Sequence, residues 1–228
     1  MIKYIFFALF LLFPLLACAQ KDSSSVIIRF NGGYADTGSS NGVASLGSTA
    51  SNSRDWNVGL TVGLPVGKRW EVGLGFEYWK QRTIAESTIY FPNQSLYMQF
   101  TETDVNLIIG KAYISGHWKL FNRLYFSPIL SMGIGKAKGT QSDQTAFSHN
   151  LQEQQYLSYM VGGESKISYD YFAIGLAPTF SYYFNRHFAL NLETGNFRFA
   201  TTDWEWSNKQ WLANANPAYW QLGAIIAF

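Results

Sequence analysis

The chain has 228 residues, of which 47% are hydrophobic, 18% aromatic and only 14% charged, with a formal net charge of +2; ordinary soluble domains carry roughly 25% charged residues. No block of like charge and no stripe of interleaved basic and aromatic residues occurs, which excludes a nucleic-acid interface. A mean hydropathy of -0.06, with no apolar run after the N-terminal segment approaching the roughly 20 residues of a spanning helix, excludes a helical membrane protein.

The N-terminal segment reads as an export signal: Lys3 gives the positive region, 4–16 the apolar region, and Ala17-Cys18-Ala19 a small-residue cleavage site before Gln20. The expected organisation is a signal peptide over 1–19 and one domain over 20–228. Leu15-Leu16-Ala17-Cys18 also resembles a lipobox that would retain a lipidated Cys18, but leucine is unusual just before the small residue, so simple cleavage is preferred. Cleavage removes the sole cysteine, leaving no disulfide, no cysteine metal site and no thiol nucleophile. No cofactor is expected.

Beyond the signal, period-two alternation predicts strands near 26–34, 55–64, 70–82, 104–120, 124–138, 168–183, 188–197 and 218–228. In WEVGLGFEYW one face carries Trp70, Val72, Leu74, Phe76 and Tyr78, and the other Glu71, Gly73, Gly75, Glu77 and Trp79. The same division recurs in Trp56 to Leu64, in Leu124 to Ile134 and in Phe172 to Tyr182. One face is bulky and apolar while the other is small or polar, the reverse of a water-soluble barrel, so the apolar face is expected to look outward into lipid. Strand 104–120 is irregular: Val105, Leu107 and Ile109 oppose the parity of Ala112, Ile114 and Trp118, which predicts a bulge near Gly110.

The connections alternate between short turns (65–69, 121–123, 184–187), each with Arg beside Lys or Asn, and long polar segments (35–54, 83–103, 139–158, 198–216), read as loops. Short turns on one side and long loops on the other predict an all-β, transmembrane, antiparallel up-and-down barrel of eight strands with periplasmic turns and extracellular loops. An open sheet would leave unpaired edges in lipid.

The signal, this alternation, the segments LAPTFSYYFNRHFALNLETG and FSPILSMGIG, and the ending AYWQLGAIIAF together resemble the small eight-stranded outer-membrane barrels, the group of OmpX-like proteins and the OmpA membrane domain. The resemblance implies outer-membrane localisation, contact with outer-membrane lipid and lipopolysaccharide, and a final strand read by the barrel-assembly machinery. Trp220, Leu222, Ile226 and Phe228 share the face that would carry that signal. No room is expected for the peptidoglycan-binding domain appended in the OmpA type.

Inward positions hold Arg29, Glu71, Glu77, Lys111, His117, Lys119 and Glu193, expected to pair across the lumen and plug it, because an eight-stranded barrel is filled by its own side chains. A gated pore or proton path is the competing reading of the same charges. Asp143, Ser148 and His149 fall in one segment, and local adjacency is not the spatial triad that nucleophilic catalysis needs. Neither His117 nor His187 is expected to join His149 at a metal site. Trp70, Trp79, Trp118, Tyr125, Tyr182 and Tyr183 read as interfacial girdles. Trp204, Trp206 and Trp211, beside Asp203, Glu205 and Lys209, are candidate binding residues for an extracellular protein or glycan, or else pack across an extended hairpin. The expectation is a non-enzymatic anchor with a structural or adhesive role; a lipid-modifying or proteolytic barrel enzyme and a narrow channel are the alternatives.

Overall fold

The computed structural model describes residues 26–44, 47–90, 96–148, 158–202, 210–214 and 220–228. The expected signal peptide with Cys18, and His149, Trp204 and Trp206, lie outside the described residues. Among the described residues thirteen strands form one antiparallel sheet: β1 (Ile27–Ala44), β2 (Gly47–Val66), β3 (Trp70–Tyr90), β4 (Leu96–Gly116), β5 (Trp118–Lys119), β6 (Leu124–Phe126), β7 (Ile129–Ser148), β8 (Ser158–Ala177), β9 (Thr179–Tyr183), β10 (Phe188–Glu193), β11 (Asn196–Thr202), β12 (Gln210–Asn214) and β13 (Gln221–Ala227).

The sheet order is β12-β11-β8-β7-β4-β3-β2-β1-β13-β10-β9-β6-β5. β11 and β10 are separated in the chain only by 194–195, β8 and β9 by Pro178, β7 and β6 by 127–128, and β4 and β5 by His117. Pairing runs through the breaks: Gly116 N donates to Pro128 O, Ser127 N to Thr179 O and Thr194 N to Pro178 O. The same passes of chain therefore appear at both ends of the order, and the sheet has closed on itself as a β-barrel. Two of the breaks have a plain cause, since Pro128 and Pro178 have no N–H to give the ladder.

Two sequence expectations are corrected. The polar segments read as loops are largely strand: β1 runs to Ala44 and β2 resumes at Gly47, while the β3–β4 register is continuous from Trp70↔Gly116 to Tyr90↔Leu96. Apolar alternation marks only the part of a strand whose outer face is apolar; beyond it the Ser/Thr-rich chain keeps its ladder, because pairing satisfies the backbone wherever a partner is present. Nor is there a bulge at Gly110, which pairs in register with both Phe76 and Ile134. Val105 and Ile109 simply point inward and are buried, while Ile108 is exposed. Register shifts occur instead between Thr37 and Ser40 and between Ser142 and Gln144.

Burial follows the parity. Phe30, Val58, Leu60, Val62, Phe76, Ile108, Leu130, Ile174 and Leu190 are exposed on the outside, whereas Arg29, Thr61, Glu71, Glu77, Ser115, Ser181, Asn191 and Gln221 are buried inside. Outer aromatics bound the apolar zone on both sides. Trp70 meets Trp118 edge-on at 5.6 Å and Tyr182 meets Phe184 at 5.2 Å near the turns; Trp56 packs on Tyr78 at 5.1 Å at the other limit. Trp56 to Val66 along β2 is about 33 Å of strand, or about 25 Å along the axis at a tilt of roughly 40°.

Candidate functional site

Inside the barrel two charged clusters lie one above the other. The lower centres on Glu71, which is 0% exposed. Arg29 forms an ion pair with it, Nη2 to Oε2, and donates from Nε to Oε1 at 3.1 Å. The Tyr113 hydroxyl donates to Oε1, and His117 Nε2 lies 3.0 Å from Oε2. Period two puts Arg29 of β1, Glu71 of β3, and Tyr113 and His117 of the β4 pass on the inner face, with β2 between β1 and β3, and the register does the rest: Arg29 faces Thr61, and Gly63, two residues on, faces Gly73 and Ile27. Gly63 is required there, because a Cβ on it would run into the Glu71 carboxylate and the Tyr113 hydroxyl.

The upper cluster pairs Lys111 with Glu77. Trp79 Nε1 donates to Glu77 Oε2 at 3.2 Å, the Arg198 guanidinium stacks 5.2 Å from the Trp79 ring centroid, and Arg198 Nη1 donates to Tyr171 Oη at 3.2 Å. Between the clusters is a cavity of about 30 Å³ lined by Arg29, Lys111, Glu77, Glu193 and Arg198 among others. That is room for about two or three water molecules.

Of the expected lumen charges, the structure brings Arg29, Glu71 and His117 into one cluster and Glu77 and Lys111 into the other, with Glu193 lining the cavity between them without an ion pair among the described residues. Lys119 stands apart: β5 is only two residues long, and Lys119 is exposed at the mouth opposite Tyr125. Three aromatics assigned to the girdles belong to the lumen. Trp79 holds Glu77 and Arg198, and Tyr125 and Tyr183 pack edge-on at 5.2 Å, with Tyr125 opposite the fully buried Ser181. Sequence reasoning did not single out Tyr113, Ser127 or Arg198. Inward parity marked Tyr113 and Ser127, but Arg198 falls in a segment read as a loop.

His117 Nδ1 also lies 2.9 Å from Ser127 Oγ, so Ser127, His117 and Glu71 form a string of hydrogen bonds. A serine nucleophile needs an approach path for its substrate, and Ser127 is buried while Glu71 is already committed to Arg29. The string therefore fixes side chains across the lumen. Asp143 accepts from Thr101 Oγ1 at 2.8 Å and pairs through its backbone opposite Thr101, well up the extended strands. Among the described residues no group of three or more His, Cys, Asp or Glu could hold a metal ion. Trp220, Leu222 and Phe228 are exposed on the outer face and Ile226 is half-buried there, whereas Ile225 faces inward and is buried. Trp211 is placed by its backbone in β12, opposite Phe199 of β11.

No protein-family model matches the sequence, and no curated protein matches it. Among solved structures the chain is similar to Neisserial surface protein A (NspA), at 9% identity over 90% of this chain and 100% of that one with a TM-score of 0.39. It is also similar to the β domain of the Bordetella autotransporter BrkA, at 8% identity over 90% and 99% with a TM-score of 0.23. A third is the translocator domain of the autotransporter NalP from Neisseria meningitidis, at 9% identity over 92% and 90% with a TM-score of 0.23.

Proposed function

We propose that this chain is an outer-membrane β-barrel of eight passes whose lumen is plugged by its own charges, and that it acts as an anchor presenting extended hairpins outside the cell in a structural or adhesive role. The count of eight takes β4 with β5, β6 with β7, β8 with β9, β10 with β11 and β12 with β13 as single passes, beside β1, β2 and β3. The observation that carries the reading is the inverted burial: a belt of large apolar side chains faces outward between two aromatic bands, over a core of buried Arg, Glu, Asn, Ser and Thr. In water that arrangement would expose the hydrophobic surface and bury the charge, a double cost; in a bilayer both groups are where they belong.

The short turns lie at the periplasmic side and the long hairpins outside, the ordinary plan of such barrels. The partners in this reading are outer-membrane lipid and lipopolysaccharide along the belt, the barrel-assembly machinery at Trp220, Leu222, Ile226 and Phe228, and an extracellular protein or glycan at the hairpins. The plug reading is supported by the small cavity and by the pairing of Arg29 with Glu71 and of Lys111 with Glu77. The test is fractionation with gel migration. The protein should be found with the outer membrane and should run faster unboiled than boiled in detergent gels; a soluble periplasmic protein without heat-modifiable migration would refute the reading.

A further inference from the structure

The short-turn end is unlike the rest of the surface in charge. Lys68 and Arg69 follow Gly67, whose φ of 66° makes the β2–β3 turn possible. Lys119 and Arg123 flank the β5–β6 turn, and Arg186 sits in the β9–β10 turn. All five cations are exposed, and none is in an ion pair among the described residues. Among the described residues the only acidic side chain near them is Glu71, which is buried and turned into the lumen.

At the far end four cations are matched with acids on or between strands, Arg54 with Asp36 at 3.4 Å, Lys80 with Asp104 at 3.4 Å, Arg82 with Glu102 at 2.6 Å and Lys136 with Asp170 at 3.8 Å, and acidic side chains are interspersed with the remaining Lys138 and Lys166. A ring of like charges without acids is self-repelling unless its surroundings supply the counter-charge. The turns also carry outward aromatics. Phe121, 73% exposed, lies between Lys119 and Arg123; Phe184 stacks on Phe188 at 5.6 Å; Trp70 and Trp118 sit at the adjoining strand ends. Aromatic rings settle at the headgroup level of a bilayer, so the neighbouring turn cations lie at the depth of the phosphates.

From this we infer that the short-turn rim is a binding surface for the headgroups of anionic phospholipids in the leaflet facing the periplasm. The inference rests on the membrane-spanning reading above. The cations and rings are distributed over three turns around the perimeter, which suits an annulus of lipid; one acidic protein would engage one side of it.

The experiment is the association of spin-labelled phosphatidylglycerol and phosphatidylcholine with the full chain inserted in phosphatidylcholine bilayers. Phosphatidylglycerol should be preferred by roughly fivefold at low ionic strength, the size of one cation–headgroup contact. The preference should collapse as ionic strength rises from about 0.01 M to about 1 M, where the screening length has fallen from roughly 30 Å to roughly 3 Å. A variant carrying Lys68→Gln, Arg69→Gln, Lys119→Gln, Arg123→Gln and Arg186→Gln should lose the preference, and one carrying Lys138→Gln and Lys166→Gln, exposed on the far half, should keep it. Equal association of the two lipids with the unaltered chain, salt-insensitive preference, or loss of preference in the far-half variant would overturn the inference. Heat-modifiable migration is read on each sample. A chain that does not insert brings down the spanning reading and this inference with it, whereas insertion without lipid preference overturns this inference alone.

Discussion

Glu71 is the residue on which the lumen turns. It accepts from Arg29, Tyr113 and His117 at once and is sealed from solvent, so removing its charge leaves the Arg29 guanidinium buried without its carboxylate. Breaking one side of a buried pair typically costs about 3–5 kcal/mol, whereas replacing both partners by apolar groups can be close to neutral. Glu71→Gln should therefore lower unfolding stability in urea by about 3–5 kcal/mol, and Glu71→Leu combined with Arg29→Leu should lose clearly less; the urea midpoint of the heat-modifiable band reads both. Equal losses in the single and double variants would show that the pair is not the source of the effect. Arg29, Glu71, Glu77 and Lys111 were legible in the sequence because inward parity is local information. Which of them meet is not local: Arg29 reaches Glu71 only through the registers of β1 with β2 and β2 with β3. Trp79 shows the limit of the pattern, since a large ring at a strand end looks like an interfacial anchor until its partner Arg198, far along the chain, is brought beside it.

At the scale of the strand, depth matters more than residue type. Leu60 and Ile84 are both apolar, outward-facing and exposed, but Leu60 lies midway along the belt between Trp56 and Val66, while Ile84 lies beyond Arg82, which pairs with Glu102 outside it. Arginine on the lipid face costs about 2–4 kcal/mol near the midplane and about 0–1 at the interface. Leu60→Arg should accordingly destabilise the inserted barrel by about 2–4 kcal/mol and Ile84→Arg by less than about 1, measured as urea unfolding in lipid vesicles; equal effects would mean that the aromatic bands do not mark the membrane. The position of the belt was readable from the alternation, and the length of the strands was not. In the outer parts of β2, β3 and β4 neither face is uniformly apolar, so residues such as Ser51, Thr83 and Thr101 carry no apolar period even though the ladder continues through them.

The molecule as a whole joins a closed polar core to a tall outer wall. With room for about two or three waters between the paired charges, purified protein in planar bilayers should show no stable, discrete conductance; well-resolved channel steps would replace the plug with a pore. The barrel plan was written in the sequence as period-two alternation. Closure was implied only by the cost of open edges, and the inner contacts came from registers that no local pattern contains. The wall has a mechanical consequence. Because β3 is paired with β2 from Val66↔Trp70 to Gly47↔Ile89 and β4 with β7 from Ser115↔Ile129 to Leu96↔Ser148, a pull on the outer end of the β3–β4 hairpin runs along those two ladders. Such a load strains many parallel hydrogen bonds together in shear, where a pull across the strands would open them one after another like a zip. A particle tethered to that tip would be held by the entire length of both ladders.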